Sequence, residues 1–333
     1  VITWLVTIGE PVPLVDGPNP RLLRTGVLAK RLRERGHAVV WWTSGFDHFL
    51  KRRRVAVDTQ LDWNGVSIRM LRSWGYRRNL SLRRLLDHAA IARRFRRAIS
   101  SEPRPDVILA ALPTVELARN AVGYAKANQV PVLVDIRDLW PDILTAAVPR
   151  LLRPLSRLAL YGMASAAREA LSGCDGIIGI SDGYLQWGLA CAGRDRRDTD
   201  GMFPLGYVAP EVSDDARARA GVDLVRRGVN PAATLCWFIG SFGRLYDLEP
   251  VLRSAARLAA AGRADVQFAI SGAGEQSDRW RRLAAGCSNV VFTGWISGDE
   301  IGWLRQHARI GLQAYAVGAP QGLANKLFEY LSA

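Results

Sequence analysis

The sequence predicts an α/β protein made of two doubly wound, Rossmann-like domains, 1–200 and 201–333. Three observations carry that expectation. The chain opens as strand, loop, helix and strand: VITWLVTI, then RLLRTGVLAKRLRERGHAVVWWTS. Short β-branched runs alternate with helical patterns along the whole length. In the second half, three of those runs each lead into a glycine-bearing loop: GSFG, SGAGE and TGWIS.

Composition bounds the answer. With 333 residues, 49% of them hydrophobic, each domain can bury a sizeable core. No apolar run approaches the roughly 18 residues of a membrane span, and no secretory leader pattern is visible. The expectation is a cytoplasmic protein whose membrane contact, if any, is peripheral. The cysteines Cys174, Cys191, Cys236 and Cys287 are too far apart in sequence for a local zinc knuckle or a C-x-x-C pair. The histidines His37, His48, His88 and His307 form no H-x-x-x-H pattern, so no metal is expected. The net charge of +14 is uneven: residues 1–200 hold 31 Lys and Arg against 19 Asp and Glu, and residues 201–333 hold 14 against 12. The basic half brings nucleic acid, anionic lipid and phosphorylated substrates into consideration as partners.

The elements follow in order. Val1 to Ile8 is a buried strand, and Gly9 and Glu10 begin a Pro- and Gly-rich loop that runs to Pro20. Leu22, Leu23, Val27, Leu28 and Leu32 share a face of the next helix, which Gly36 ends. The second strand, 39–43, runs into Ser44 without an acidic residue, and the first turn lacks G-x-G-x-x-G, so a dinucleotide site is not expected. His37 reads as a turn residue, and Lys51 to Arg54 as a solvated basic loop. After a strand pair near 66–72, the segment 80–99 is helical. Leu82, Leu85, Leu86, Ala89 and Phe95 form its stripe, and Arg83, Arg84, Arg93, Arg94, Arg96 and Arg97 crowd the rest. Such a helix either lies on a membrane or packs with a basic back. A strand at 106–111, a helix at 115–128 and a strand at 130–135 lead into IRDLWPD. Arg137, Asp138 and Asp142 thus fall beyond a strand's C-terminal end, where open α/β sheets bind ligands. A long helix at 151–172, a strand at 176–181 and a short helix precede the polar stretch 191–201, taken as the boundary.

In the second half, strands at 234–239, 266–270, 289–292 and 310–314 alternate with helices at 248–261, after 275, and at 298–307. Their glycine loops leave one edge of one sheet. The chain closes on APQGLANKLFEYLSA, 319–333: a loop punctuated by Pro320 and Gly322, then a helix for which Asn325 is a suitable N-cap. Free N–H groups at a helix start, backed by the helix dipole, favour phosphate. Lys326 adds a cation in the first turn, and Glu329, one turn on, can accept from hydroxyls. Those residue types at that spacing suit a nucleotide-sugar ligand; the alternative is an ordinary amphipathic helix.

Taken together, RLLRTGVLAKRLRERGHAVVWWTS, IRDLWPD, GSFGRL, FAISGAGE, NVVFTGWIS and NKLFEYLSA resemble a bacterial family-four glycosyltransferase from end to end. The chain is most similar to the subgroup that builds surface polysaccharide and lipopolysaccharide chains. The resemblance implies the GT-B fold, two Rossmann-like domains facing each other across a cleft. The C-terminal domain would hold a nucleotide-diphosphate sugar and the N-terminal domain a glycan or lipid-linked acceptor. It implies transfer with retention of anomeric configuration, no metal and no cofactor. Carried over by position, Glu329 binds the ribose hydroxyls, and Gly240, Gly243, Arg244, Lys326 and the backbone of Ala324 and Asn325 lie at the diphosphate. Ile296 borders the base, Gly9 lets backbone approach the donor phosphates, and Asp138 faces the reacting sugar or the acceptor. Catalysis would rest on Asp138, Arg244 and Lys326. Two positions depart from the family. Gln321 stands where a second Glu often reads the donor sugar, and LYDLEP after Arg244 carries no Lys. The family continues past this last helix with a Gly-x-Pro-Val strand and further helices, so the C-terminal end is expected to be truncated. Two alternatives are a nucleotide-sugar epimerase of the same fold and a basic nucleic-acid-binding protein. The arginines are not interleaved with a recognised nucleic-acid motif, so nucleic acid is not an expected partner. The expected partners are a nucleotide sugar, a glycan or lipid-linked acceptor, and the anionic inner face of the cell membrane.

Overall fold

Buried runs rich in tryptophan and β-branched residues pair into one large sheet in each of two units, Val1–Pro204 and Leu205–Ala333. The computed structural model describes residues 1–17, 22–79, 81–146, 148–208, 212–243, 245–319 and 325–332, with Asn325 by its backbone only.

The first unit runs β1 (Ile2–Val6), α1 (Arg24–Glu34), β2 (Ala38–Ser44), β3 (Phe46–Asp47), β4 (Arg52–Arg53), β5 (Thr59–Trp63), β6 (Val66–Leu71) and α2 (Leu82–Ala98). It continues with β7 (Val107–Leu112), α3 (Val115–Ala127), β8 (Val132–Ile136), α4 (Asp142–Ala146), α5 (Arg153–Ala159), α6 (Tyr161–Gly173), β9 (Gly176–Gly179), α7 (Asp182–Ala192) and β10 (Gly201–Met202). Eight strands form the sheet in the order β10-β9-β8-β7-β1-β2-β6-β5, and β3 pairs with β4 in a separate two-stranded ribbon. The neighbours are parallel except β5 and β6, an antiparallel hairpin turning through Asn64 and Gly65, both at positive φ. Side chains alternate across β1 and β2. Leu5, Val39 and Trp41 meet Ala29 of α1 on one face, while Trp4 stacks on Tyr124 of α3 and Trp42 meets Phe95 of α2 on the other.

Four expectations need correction here. Gly201–Met202 pair with β9, so the first unit extends to Pro204 and the boundary falls beyond residue 200. The first helix starts at Arg24, after Leu22 and Leu23, and buries Thr25, Gly26 and Ala29. The inner face of α2 is Asp87, His88, Ile91, Ala92 and Phe95, whereas Leu82 and Leu86 are exposed. Asp87 can sit inside because it accepts from Ser73 Oγ (2.8 Å), Trp74 N (2.7 Å) and Gly75 N (3.3 Å). Finally, 151–172 is not one helix. A 3-10 turn at Arg150–Leu152 leads into α5, and the helix is interrupted at Leu160 before α6.

The second unit runs α8 (Asp214–Arg226), β11 (Thr234–Ile239), α9 (Glu249–Ala260), β12 (Val266–Ser271), α10 (Ser277–Leu283), β13 (Val290–Gly294), α11 (Gly298–His307), β14 (Ala308–Gly311) and α12 (Asn325–Leu331). Its sheet is parallel throughout, in the order β13-β12-β11-β14. One face packs Phe238, Phe268 and Ile270 against Leu252 of α9 and Trp280 of α10. The other packs Leu235, Trp237 and Ala269 against Leu224 of α8 and Ile301 and Leu304 of α11. α11 is opened by a capping box between Ser297 and Glu300. The glycine loops after β11, β12 and β13 all leave the C-terminal edge of the sheet.

Candidate functional site

In the second unit, the three glycine loops are tied to one another through the main chain. Gly240 N donates to Ser271 O (3.0 Å), Phe242 N to Ala273 O (2.9 Å), Gly272 N to Gly294 O (2.7 Å) and Gln276 N to Phe242 O (3.0 Å). Gly272 is required at this point: its φ is +136°, and a Cβ on it would collide with the Gly240 carbonyl oxygen.

α12 is fastened beside these loops by Tyr330. The Tyr330 hydroxyl accepts from Ile239 N (3.1 Å) and donates to Leu312 O (3.2 Å), at the ends of β11 and β14. The helix thereby carries Lys326 to the sheet edge, where it is 5% exposed. Its Nζ lies 3.5 Å from the Tyr246 ring centroid and 4.4 Å from that of Phe238. It has no hydrogen-bond partner among the described residues. A Cβ on Gly240 would stand 2.9 Å from that Nζ, so the glycine leaves the ammonium its room. Burial, opposed by the Glu329 carboxylate, pulls Lys326 down to about pH 7. Glu329 itself is fully buried. The result is a cation held over aromatic faces beside a backbone-only wall, an arrangement suited to an oxyanion.

In the first unit, a cavity of about 190 Å³ opens where β1, β2, β7 and β8 end. Gly9, Ser44, His48, Thr114 and Asp138 line it, with Arg84 and His88 from α2. Asp138 accepts from Leu139 N (3.0 Å). Burial raises its pKa, against the Leu139 N–H and the Arg84 charge. A carboxyl moved toward neutrality suits proton transfer. His48 Nδ1 is 2.6 Å from the Tyr76 hydroxyl. Burial first, and Arg84 next, lower both His48 and His88 to about 3, so both imidazoles are neutral at pH 7. The Arg84 guanidinium stands 4.5 Å from the Trp140 ring centroid and 5.4 Å from that of Tyr76.

The start of α1, beside this cavity, is already occupied by the protein's own carboxylate. Glu10 accepts from Thr25 N (3.0 Å), Thr25 Oγ1 (2.6 Å) and Gly26 N (3.4 Å), and pairs with Arg137. Arg137 Nε and Arg24 Nε both donate to Asp135, at 2.7 and 2.8 Å. Arg137 is thus ion-paired on one side while it also lines the cavity, where its second terminal nitrogen has no hydrogen-bond partner among the described residues, and Asp142 accepts from Trp187 Nε1 (2.8 Å).

Of the expected residues, Gly240, Gly243, Lys326 and Glu329 all belong to the loop edge and α12 of the second unit, with Gly243 O accepting from Gln276 Nε2 (3.0 Å). Gly9 and Asp138 line the cavity of the first. Ile296 lies in the core against α8 and α11, so only its backbone is open to a ligand, and the exposed side chain of that turn is Trp295. Arg244, Gln321, Ala324 and the side chain of Asn325 lie outside the described residues. Sequence reasoning missed Arg84, His48, His88 and Tyr76. The signal available was the polar pair Asp87 and His88 interrupting the apolar stripe of α2. Among the described residues, no group of three or more His, Cys, Asp or Glu is placed to hold a metal ion.

Comparison with known proteins adds a family and a fold. A family model described as a glycosyl transferase 4-like domain matches residues 23–200. No curated protein sequence gives a significant match. Among solved structures, the chain is similar to one described as trehalose-6-phosphate from E. coli bound with UDP-2-fluoro glucose. The identity there is 9%, the TM-score 0.66, and the match covers 100% of this chain and 81% of that one. It is similar to WaaG, described as a glycosyltransferase involved in lipopolysaccharide biosynthesis, with 13% identity, a TM-score of 0.61 and coverage of 100% and 79%. It is also similar to HepE of Anabaena in complex with UDP and glucose, with 13% identity, a TM-score of 0.56 and coverage of 96% and 76%. The fold is that of the GT-B glycosyltransferases.

Proposed function

Because this chain belongs to the glycosyl transferase 4-like family by its match over residues 23–200, we propose that it moves a sugar from a nucleotide-diphosphate sugar to a glycan or lipid-linked acceptor. The reading includes retention of anomeric configuration and independence of metal. The observation that carries it is Lys326, a buried ammonium with aromatic rings around it and no hydrogen-bond partner among the described residues, beside the glycine-loop wall. A diphosphate supplies the hydrogen-bond acceptors that this ammonium lacks among the described residues. UDP-2-fluoro glucose and UDP in the similar structures support a nucleotide sugar as the donor, and the description of WaaG supports a role in surface glycan assembly.

In the reaction, the bond from the anomeric carbon to the diphosphate oxygen breaks, and its electron pair leaves with the diphosphate. The acceptor hydroxyl oxygen bonds to that carbon, and its proton passes to the released diphosphate. Lys326 and Arg244 stabilise the charge that collects on the leaving group, which is where electrostatic stabilisation acts most. Gly240, Gly243, Ala324 and Asn325 present backbone to the diphosphate. Glu329 reads ribose hydroxyls, the Ile296 backbone borders the base, Gln321 faces the donor sugar, and Gly9 admits close backbone approach. Asp138, in the first unit, handles the acceptor hydroxyl or the reacting sugar.

The same reading places the enzyme at the inner face of the cell membrane. Leu151, Leu155 and Leu158 are exposed at 93%, 65% and 76%, and Arg150, Arg153 and Arg157 alternate with them. Apolar side chains interleaved with cations suit an anionic leaflet. No helix among the described residues is long and apolar enough to cross a membrane.

The test is mass spectrometry of products after a panel of nucleotide sugars is offered with membrane extract, with and without a chelator. A glycosylated product whose anomeric proton coupling matches that of the donor, formed equally with chelator, is expected. Conversion of the nucleotide sugar in the absence of any acceptor would instead mark an epimerase.

A further inference from the structure

Beside the cavity of the first unit lies a larger groove of about 640 Å³. Its wall carries Lys51, Arg53, Arg77, Arg78 and Arg83, and no Asp or Glu. Neighbouring arginines show what a matched charge looks like here. Arg52 reaches Asp47 (3.6 Å), Arg54 reaches Asp16 (2.6 Å) and Arg94 reaches Asp58 (3.4 Å). Residues 52 and 53 form β4, and successive strand side chains point to opposite sides. Arg52 therefore meets carboxylates while Arg53 faces the groove. The groove cations that bond within the protein use neutral acceptors: Lys51 donates to His48 O and Asn79 Oδ1, Arg53 to Trp74 O (3.2 Å) and Arg83 to Gly75 O (2.9 Å). None of the five makes an ion pair among the described residues. Burial, and then Arg84, pull Lys51 down to about 8. Like charges gathered in one concavity repel each other, and an anion relieves that.

The groove and the cavity holding Asp138 share a wall, Phe46 and Tyr76. Lys51 Nζ stands 4.9 Å from the Tyr76 ring centroid and the Arg84 guanidinium 5.4 Å from it. The two spaces therefore lie side by side. Trp74, in the groove wall, is exposed, as are Phe49 and Leu50 beside Lys51 and Leu82 beside Arg83. Apolar side chains thus border the cationic wall.

We propose that this groove binds the phosphate or diphosphate ester of an amphiphilic acceptor, whose sugar enters the neighbouring cavity beside Asp138. The proposal rests on the glycosyltransferase reading for the word acceptor; the groove's preference for a phosphate ester on an apolar tail does not. Arg53, Arg77 and Arg78 are exposed, so replacing them spares the core.

The experiment compares the full chain with Arg53→Gln/Arg77→Gln/Arg78→Gln. Calorimetric titrations use geranyl diphosphate, inorganic pyrophosphate, UDP and phosphatidylglycerol vesicles, each at two salt concentrations. The wild type is expected to bind geranyl diphosphate more tightly than pyrophosphate, and to weaken as salt rises. The triple variant is expected to lose at least tenfold in geranyl diphosphate affinity, with unchanged UDP affinity and thermal midpoint. Equal geranyl diphosphate binding by both proteins overturns the proposal. So does a wild type that binds the vesicles but not the soluble diphosphate, since that marks a membrane-contact surface. Absence of UDP binding in both proteins, with the geranyl diphosphate difference intact, overturns the donor assignment of the second unit and leaves the groove standing.

Discussion

The two units treat charge at their loop edges in opposite ways. Around α1, the first unit pairs its buried charges directly: Glu10 and Asp135 face Arg24 and Arg137, and Glu10 also occupies the first N–H groups of the helix. Around α12, the second unit leaves an ammonium among rings, pulled down to about 7 by burial. The comparison teaches how to tell a structural buried charge from one that awaits a ligand. Buried cations paired directly with protein carboxylates hold the fold, whereas a buried ammonium with no hydrogen-bond partner among the described residues makes folding harder and binding easier.

The largest way to break that contrast is Glu10→Ala. It strands Arg137 beside a single carboxylate and opens the start of α1. Loss of one partner from a buried pair costs about 3–5 kcal/mol, so denaturant unfolding should show a stability drop of that size. An unchanged midpoint would remove Glu10 from the structural side of the comparison.

A second effect belongs to the first unit alone. His48 and His88, held near 3 by burial and by Arg84, titrate ordinarily near 6.5 when unfolded. Between those values the unfolded chain binds protons that the native one does not, so native stability falls as pH drops below 6.5. Each group contributes up to about 1.4 kcal/mol per pH unit over that window. Unfolding at a series of pH values, with His88→Asn as the comparison, should show the slope reduced in the variant.

In the second unit, Lys326→Met keeps the aliphatic stem and removes the charge. Stability should hold or rise. The affinity for UDP should drop by about ten- to a hundredfold, the worth of a charge-assisted hydrogen bond at about 1.5–3 kcal/mol. In the wild type the bound diphosphate favours the ammonium, so UDP binding strengthens as pH falls toward 7 and takes up a proton above it. Calorimetry in buffers of different ionisation enthalpy reads that proton, and identical heats in all buffers would contradict the assignment.

Glu329→Ala sharpens the comparison least. It should weaken UDP by about tenfold and pyrophosphate by less, because its assigned partner is the ribose while its charge also favours the Lys326 ammonium. Equal losses for both ligands would make Glu329 a support for Lys326 instead of a ribose reader.

The fold was largely legible because the strands are short, β-branched and bounded by glycine; β11 and α11 fall where the sequence puts them. α8 was not foreseen, since its buried residues are Ala220, Gly221 and Leu224, too small a stripe to register as a periodic face. A Cβ on Gly221 would collide with the Trp303 ring of α11, so the residue that weakens the helical pattern is the one that lets the two helices approach. The inner face of α2 was misread because a buried Asp87 and His88 carry it, and only tertiary hydrogen bonds make that affordable. Lys326 and Glu329 were legible as types at a spacing; their burial was not, because it depends on Tyr246, Phe238 and Tyr330 arriving from elsewhere in the chain. The cationic groove was invisible for the same reason. Lys51 and Arg53 face it while Arg52 and Arg54 turn away, and no run of four cations announces which of them are matched.

Arg24 carries a consequence for the order of folding. Besides Asp135 it donates to the carbonyls of Phe203 and Pro204, each at 2.9 Å, across sequence separations of 179 and 180. These bonds cannot form until the chain has completed the entire first unit, and loop closure on that scale comes late. Arg24 thus behaves as a clasp that snaps shut after the sheet is built. Removing it should quicken unfolding while scarcely altering the folding rate, a φ-value near zero, and a φ-value near one would place the clasp in the nucleus instead. A chain still growing, with its strands assembled but residues 203 and 204 not yet made, would hold the first unit together without that lock.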